Sequence, residues 1–286
     1  MKVLVIGANG QLGSEFPAAW PEAEVIGLTR ADLDVTDAVA VPRVIGDLRP
    51  DVVINTAAYH KVEVCERDPE TSFRVNATAA RNVASAAQAA GAAVVYISTD
   101  YVFPGDSGHP YVEGDARRPV NVYGVSKAAG EDLVARACER HYIIRSSGLY
   151  GVRGASGKGG NFIETILKRA AETGRLQVVT DQTLSPTFTH DLARAIRTVV
   201  QEGQPGRYHI TNQGAVTWFD FASMAVGFAG LAGRTTIEPI ASNTWDQVLQ
   251  RPAYSVLKNA SLESQGIPLL RSIDEALAAY VGMRAA

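Results

Sequence analysis

Tyr123 and Lys127 stand four positions apart in the run Tyr123-Gly124-Val125-Ser126-Lys127. On a helix that spacing puts both side chains on one face. An ammonium beside a phenol favours the phenolate, so the pair reads as a tyrosine whose pKa is drawn below its usual value of about 10. Such a tyrosine exchanges a proton near neutral pH, as a general acid or base must. The same spacing also occurs as an ordinary surface pair. The choice between the two readings depends on what else the chain brings to the same place.

The apolar run Ala93 to Ile97 has the character of a buried strand, and it ends in Ser98-Thr99-Asp100. Ligands of open α/β sheets sit at the carboxyl ends of strands, which makes this hydroxyl pair a candidate holder of a carbonyl oxygen. Val3 to Ile6 is a similar run and enters Gly7-Ala8-Asn9-Gly10-Gln11-Leu12-Gly13. Glycines at the first, fourth and seventh places make a tight strand-to-helix turn that admits a phosphate to backbone amides. Their Gly-x-x-Gly-x-x-Gly spacing differs from the Gly-x-Gly-x-x-Gly dinucleotide fingerprint. The position after the first strand favours a dinucleotide over a plain turn. The strand Ala23 to Leu28 ends in Thr29-Arg30, with no acid there to meet a ribose 2′-hydroxyl. Arg30 is either the holder of a 2′-phosphate, which favours NADPH over NADH, or a solvated surface arginine. Asp34 lies in Asp32-Leu33-Asp34-Val35-Thr36-Asp37, placed to face an adenine edge. The small residues of Asn55-Thr56-Ala57-Ala58 suit either close passage of a flat ligand or packing beneath a helix.

Asn76 to Ala90 reads as a buried alanine-rich helix capped by Gly91, and a further helix runs from Tyr123 through Leu133 and Ala137. His141 to Arg145 is another strand. Strand and helix patterns thus alternate through the first half, which implies a parallel, doubly wound sheet. Later come helices at Asn161–Glu172, Asp191–Gln201 and Trp218–Phe228, strands at Leu176–Thr180 and Arg207–Thr211, and a last helical region at Asp274–Val281. The expected architecture is an α/β Rossmann-type domain over 1–149 and a smaller mixed α/β substrate domain over 150–286. Ownership of helix 191–201 is left open between them. Residues 151–160 hold five glycines and Lys158, either a linker or a lid whose lysine meets phosphate.

Composition narrows the function classes. The 286 residues are 46% hydrophobic and 20% charged with a net charge of -3, which suits a globular protein and argues against nucleic-acid binding. The first strand is broken too soon for a membrane span or a signal peptide, so a cytoplasmic protein is expected. Cys65 and Cys138 lack ligand spacing, and no metal site is expected.

Together these residues resemble the extended short-chain dehydrogenase/reductases, and within them the dTDP-4-dehydrorhamnose reductase family. The resemblance runs through Gly7-x-x-Gly-Gln-Leu-Gly13, Asp32-Leu-Asp-Val-Thr-Asp37, Asn55-Thr-Ala-Ala-Tyr59 and Val75-Asn76. It continues in Ile97-Ser-Thr-Asp-Tyr-Val-Phe103, Asn121-Val-Tyr-Gly-x-Ser-Lys127, Gly160-Asn-Phe162, Asp181-Gln182, Pro186-Thr187, Tyr208-His209 and Arg251-Pro252. It implies a nicotinamide cofactor, NADPH or NADH, and a nucleotide-sugar substrate with a C4 ketone. Tyr123 is then the proton donor, Lys127 the holder of the nicotinamide ribose, and Thr99 the carbonyl partner. The implied cofactor contacts are Gly7, Asn9, Gly10, Gln11, Leu12, Gly13, Arg30, Asp34, Val35, Ala57, Ala58, Tyr59, Asn76, Ser98 and Lys127. The implied substrate contacts are Thr99, Asp100, Gly148, Lys158, Asn161 and Arg251, with Arg251 and Lys158 toward the pyrophosphate. Family members are often dimers, some with a divalent ion, and no motif here shows either.

Two departures stand out. Gly148, in Arg145-Ser-Ser-Gly148-Leu-Tyr150, occupies a place where the family commonly has a tryptophan against the sugar, which implies a wider pocket. The run after Tyr59 begins with His60-Lys61 where an acidic motif is common, and His60 reads as a site histidine or a loop histidine in a structural bond. Tyr101 after Thr99-Asp100 removes the glutamate base that sugar dehydratases resemble one another in having. The remaining alternatives are a nucleotide-sugar epimerase of the same superfamily and a non-catalytic NADP-binding regulatory subunit.

Overall fold

The computed structural model describes residues 1–153, 160–242 and 249–285. In chain order its strands are β1 (Lys2–Ile6), β2 (Glu24–Leu28), β3 (Val52–Asn55), β4 (Ala93–Thr99), β5 (His141–Ser146), β6 (Arg175–Val179), β7 (Thr183–Leu184), β8 (Gly206–His209), β9 (Val216–Thr217) and β10 (Thr236–Ile240). Its α-helices are α1 (Phe16–Ala19), α2 (Ala40–Leu48), α3 (Val62–Arg67), α4 (Pro69–Phe73), α5 (Ala80–Ala89), α6 (Val122–Ala137), α7 (Phe162–Thr173), α8 (Thr189–Glu202), α9 (Trp218–Phe228), α10 (Ala260–Ser264) and α11 (Ile273–Ala285). Among the described residues no helix is long and apolar enough to cross a membrane.

The principal sheet has the order β2-β1-β3-β4-β5-β8, and all its pairs are parallel. Successive side chains of a strand point to opposite faces. Val3, Val5, Ile54, Val95 and Ile144 therefore face one way, onto Phe16, Trp20, Leu192, Ile196 and Val199 of α1 and α8 and the residue that follows α1. Leu4, Ile6, Val53, Val94 and Ile143 face the other way, onto Val41, Ile45, Val83, Ala87 and Val134 of α2, α5 and α6. Both faces are dry, which is why these strands read as continuous apolar runs. This is a Rossmann-type doubly wound sheet. Its strand order reverses between β1 and β3, and the carboxyl ends of β1, β3 and β4 flank that reversal, the place where such sheets take ligands.

The sheet does not end at residue 149. Its sixth strand, β8, and the helix α8 both come from beyond that point, and Leu262 and Leu270 join the same core. An amphipathic helix records only that one face is buried, and not which sheet it covers. The intervening and following segments make a smaller mixed unit, in which β6 pairs parallel with β10 and β7 antiparallel with β9. Its core gathers Ile163, Leu167, Phe188, Phe221, Leu277 and Tyr280 from α7, α9, α11 and the start of α8. Tyr150 stacks on Phe188 at 5.6 Å and meets Tyr280 edge-on at 5.3 Å, joining the chain's exit from the sheet to that core.

Two boundaries moved for local reasons. Asn161 lies outside its helix, because its side chain accepts from Glu164 N at 3.0 Å and caps α7. Before α5, residues Arg74–Ala79 form a π-helical turn, a departure that carries no periodicity signal of its own.

Candidate active site

The site begins at the start of α6. Asn121 caps it by accepting from Gly124 N at 2.9 Å, and its amide donates to Gln250 O at 3.0 Å. A Cβ on Gly124 would lie 2.2 Å from Tyr101 O, so glycine there lets the end of β4 press against the first turn of α6. Thr99 is thereby brought beside Tyr123, while its own hydroxyl donates to Asp100 Oδ1 at 2.9 Å. Tyr101 stands edge-on to the Tyr123 ring, centroids 5.9 Å apart. Burial pushes the Tyr123 phenol well above its ordinary pKa, and the neighbouring Thr99 only partly offsets that. The lowering expected from the Tyr-Lys spacing is thus outweighed by loss of water around the phenol. The tyrosine is neutral and holds its proton.

Lys127 is 1% exposed, and burial lowers its pKa from 10.5 to about 7. Its Nζ lies 4.0 Å from the centroid of the Tyr96 ring. Ser126, beside it, accepts from Asn76 Nδ2 at 3.0 Å and donates to Tyr123 O at 2.8 Å. Asn76 clamps the backbone of Tyr59 at both ends, accepting from its N and donating to its O, each at 2.9 Å. The π-helical turn delivers Asn76 to this position, where it fixes the strand end that carries Ala57, Ala58 and Tyr59.

At the reversal of strand order, Gly7 has φ +84°, and a Cβ on it would lie 2.6 Å from Thr56 Oγ1. A Cβ on Gly13 would lie 2.3 Å from Gly7 O, and one on Gly10 3.2 Å from the same atom. The loop is therefore folded onto itself with no side chain between its backbone and the carboxyl ends of β1 and β3. Asn9 is exposed at its tip, and the side-chain oxygen of Gln11 is buried with no hydrogen-bond partner. Arg30 extends from the end of β2 with 89% of its side chain exposed and pairs loosely with Asp34 at 3.4 Å. A glycine cradle, an unused buried amide oxygen and a solvent-exposed guanidinium fit a dinucleotide bearing a 2′-phosphate.

Several expected contacts have other occupations. Ser98 donates to Glu131 Oε1 at 2.6 Å, and Glu131 also holds the buried Arg145 at 2.7 Å and Arg117 at 3.1 Å. Asp100 is 3% exposed and takes hydroxyl donors from Thr99 at 2.9 Å, Ser147 at 2.7 Å and Ser255 at 2.6 Å. Burial raises its pKa, and those hydroxyls oppose the rise. It braces the strand end, and the three donors leave only one lone pair of Oδ1 unused. Asn161 is likewise consumed, by its cap and by bonds to Gly151 O at 2.8 Å and Tyr280 Oη at 3.1 Å. Leu12 and Val35 put their side chains in the core, leaving only backbone to a ligand. Asp34 spends one oxygen on Thr36, whose N and Oγ1 donate at 2.9 and 2.7 Å. Gly148 has φ +51°, and a Cβ there would lie 2.8 Å from Leu184 Cδ1, so the glycine serves a tight backbone passage. His60 is half-buried with Nδ1 3.4 Å from Ala58 O. Lys158 lies outside the described residues.

Arg251 does reach the site. It pairs with Glu63 and lies near Tyr101, whose ring leans on Tyr123. Tyr101, Ser126, Glu131 and Tyr96 carry no role in the sequence reading. Glu131 at four residues beyond Lys127 was legible from helix spacing; the others need the sheet register.

The chain matches the family described as RmlD substrate binding domain over residues 1–284. It belongs to that family. The spore coat polysaccharide biosynthesis protein SpsK of Bacillus subtilis is 39% identical over 93% of this chain and 92% of its own. A dTDP-4-dehydrorhamnose reductase of Mycolicibacterium smegmatis is 37% identical over 98% of this chain and 86% of its own. Among solved structures, the dTDP-4-dehydrorhamnose reductase of Bacillus anthracis, determined in complex with NADP, superposes with TM-score 0.93 at 35% identity and covers 99% of each chain.

The buried lysine gives a pH signature. Between about 7 and 10.5 the unfolded chain holds a proton on Lys127 that the folded chain has released. Stability must then rise with pH across that window, by at most about 1.4 kcal/mol per unit. Denaturant unfolding from pH 7 to 9 should show this rise in the native protein and lose it in Lys127→Met. Parallel profiles for the two would contradict it.

Proposed function

We propose that the chain is an NAD(P)H-dependent reductase of the C4 ketone of a nucleotide-linked 4-keto-6-deoxy sugar, of the dTDP-4-dehydrorhamnose reductase type, with NADPH preferred. The observation that carries this reading is the placing of Tyr123 beside Thr99 at the carboxyl end of β4, one helical turn from a buried lysine. The family membership and the reductases among its relatives support the substrate class.

The bound cofactor supplies a hydride to the ketone carbon. The glycine loop after β1 and Arg30 hold its phosphates, and Lys127 holds its nicotinamide ribose. Tyr123 directs its hydroxyl at the ketone oxygen, where negative charge grows, and Thr99 turns its hydroxyl from Asp100 to the same atom. Tyr123, kept protonated by burial, gives that oxygen its proton. Tyr101 keeps the donor ring in place through its edge contact. Arg251, near Tyr101, is placed to meet the substrate's pyrophosphate once it exchanges Glu63 for that anion.

Tyr123→Phe should lower kcat by about a hundredfold or more while leaving NADPH affinity nearly unchanged. Unimpaired reduction by that variant would remove the proton-donor role. For the cofactor, Arg30→Asp should cut the NADPH-over-NADH preference in kcat/KM by about tenfold or more, the loss of one charge-assisted contact. An unaltered ratio would take the 2′-phosphate away from Arg30.

A further inference from the structure

Lys127 is the most thoroughly buried ammonium of the site, and its charge needs an explanation. No hydrogen bond or ion pair of its Nζ is found among the described residues. The nearest acidic side chain on its own helix is Glu131, and that carboxylate is already filled by Arg145, Arg117 and Ser98. From α3, Cys65 faces the same region, its thiol donating to Tyr59 O at 3.4 Å. What lies against the ammonium is the face of Tyr96, from the middle of β4, with Nζ 4.0 Å from the ring centroid.

The ring is held there with unusual care. Tyr96 is 1% exposed and its hydroxyl donates to Asn76 O at 2.6 Å. That carbonyl belongs to the π-helical turn, where the regular ladder of backbone bonds is interrupted. Across from it, α6 presents Gly130, on which a Cβ would lie 2.2 Å from Asn76 O and 2.3 Å from Tyr96 Oη. Glycine inside a helix is costly, and here its absence of side chain makes room for this one hydrogen bond. Three elements thus converge to keep an aromatic face beneath the lysine.

We propose that Tyr96 is a positioning residue for Lys127: the face of its ring is the partner that favours the ammonium form of the buried side chain and holds it in place until the cofactor's ribose hydroxyls share it. A cation over a ring face is attracted by the ring's quadrupole, and the attraction strengthens when water is excluded. The ring therefore favours the protonated lysine. Glu131 and Cys65 act in the same direction, against the effect of burial. The inference rests on the assignment of Lys127 to the nicotinamide ribose.

The test is the pH dependence of NADPH affinity, followed by cofactor fluorescence with no sugar present, from pH 6 to pH 10 (a range chosen to bracket the lysine at roughly one to three units either side). Affinity should fall on the alkaline side as Lys127 loses its proton. Tyr96→Phe keeps the face and should keep the midpoint. Tyr96→Leu removes the face and should move the midpoint to lower pH by about half a unit or more. Tyr96→pentafluorophenylalanine preserves shape while reversing the ring's charge distribution, and should shift the midpoint as Leu does even if the Leu variant folds poorly. A midpoint unmoved by the fluorinated ring, in a protein where Lys127→Ala abolishes the transition, overturns the proposal and leaves the function reading intact. A transition that persists in Lys127→Ala overturns the Lys127 assignment itself, and the proposal with it.

Discussion

An ammonium taken out of water without a carboxylate beside it gives up its proton unless something replaces the lost hydration. Lys127 is in that situation, with its pKa brought to about 7 by burial. Much of the surrounding framework follows from it. Glu131 could have neutralised the lysine outright from one turn away, but it is committed to Arg145 and Arg117. The lysine is consequently left able to bind a neutral polyol such as a ribose. A full salt bridge would have competed with that contact. The neighbouring Tyr123 is half-buried, and the partial loss of water acts on its phenol in the opposite sense, favouring the protonated form. Desolvation thus lowers the pKa of the amine and raises that of the phenol, as the proposed division of roles between them requires.

The frame that makes this environment is the parallel sheet. Because β1, β3 and β4 run the same way, the glycine loop, the Asn55 end and the Ser98-Thr99 end emerge on one edge. Close approach is then secured by side chains that are absent. Gly13 lets the loop fold on Gly7, Gly124 admits the Tyr101 backbone to α6, and Gly130 admits Tyr96. Asn76 completes the frame by fixing Tyr59 with two hydrogen bonds that could otherwise go to water. Arg251 enters from a distant part of the chain and reaches Tyr123 through Tyr101.

Much of this was legible in the residues alone, and the limits have physical causes. The apolar runs gave the parallel strands, because a strand covered on both faces has no polar alternation to misread. The spacing of Tyr123 and Lys127 gave their shared face, but spacing does not report dielectric, so the sign of the tyrosine's shift came out reversed. Motif position placed Ser98, Asp100 and Asn161 near the site but could not tell that their side chains are spent on Glu131, three hydroxyls and a helix cap. A hydrogen bond to a residue far along the chain leaves no trace in local sequence. The same holds for β8 and α8, whose return to the first sheet is a matter of topology. Gly148 read as a missing aromatic; its positive φ shows a backbone demand that a tryptophan would strain.

The proposed reaction is a reduction at one carbon, with Tyr123 supplying the proton and the cofactor the second hydrogen. The most direct measurement is to incubate the protein with dTDP-4-dehydrorhamnose and NADPH deuterated at the transferable position, and to locate the label by mass spectrometry and NMR. The prediction is a single deuterium at C4 of the sugar, with an equivalent amount of NADP formed. A rearranged sugar without label or net cofactor oxidation, or label at another carbon, would contradict it.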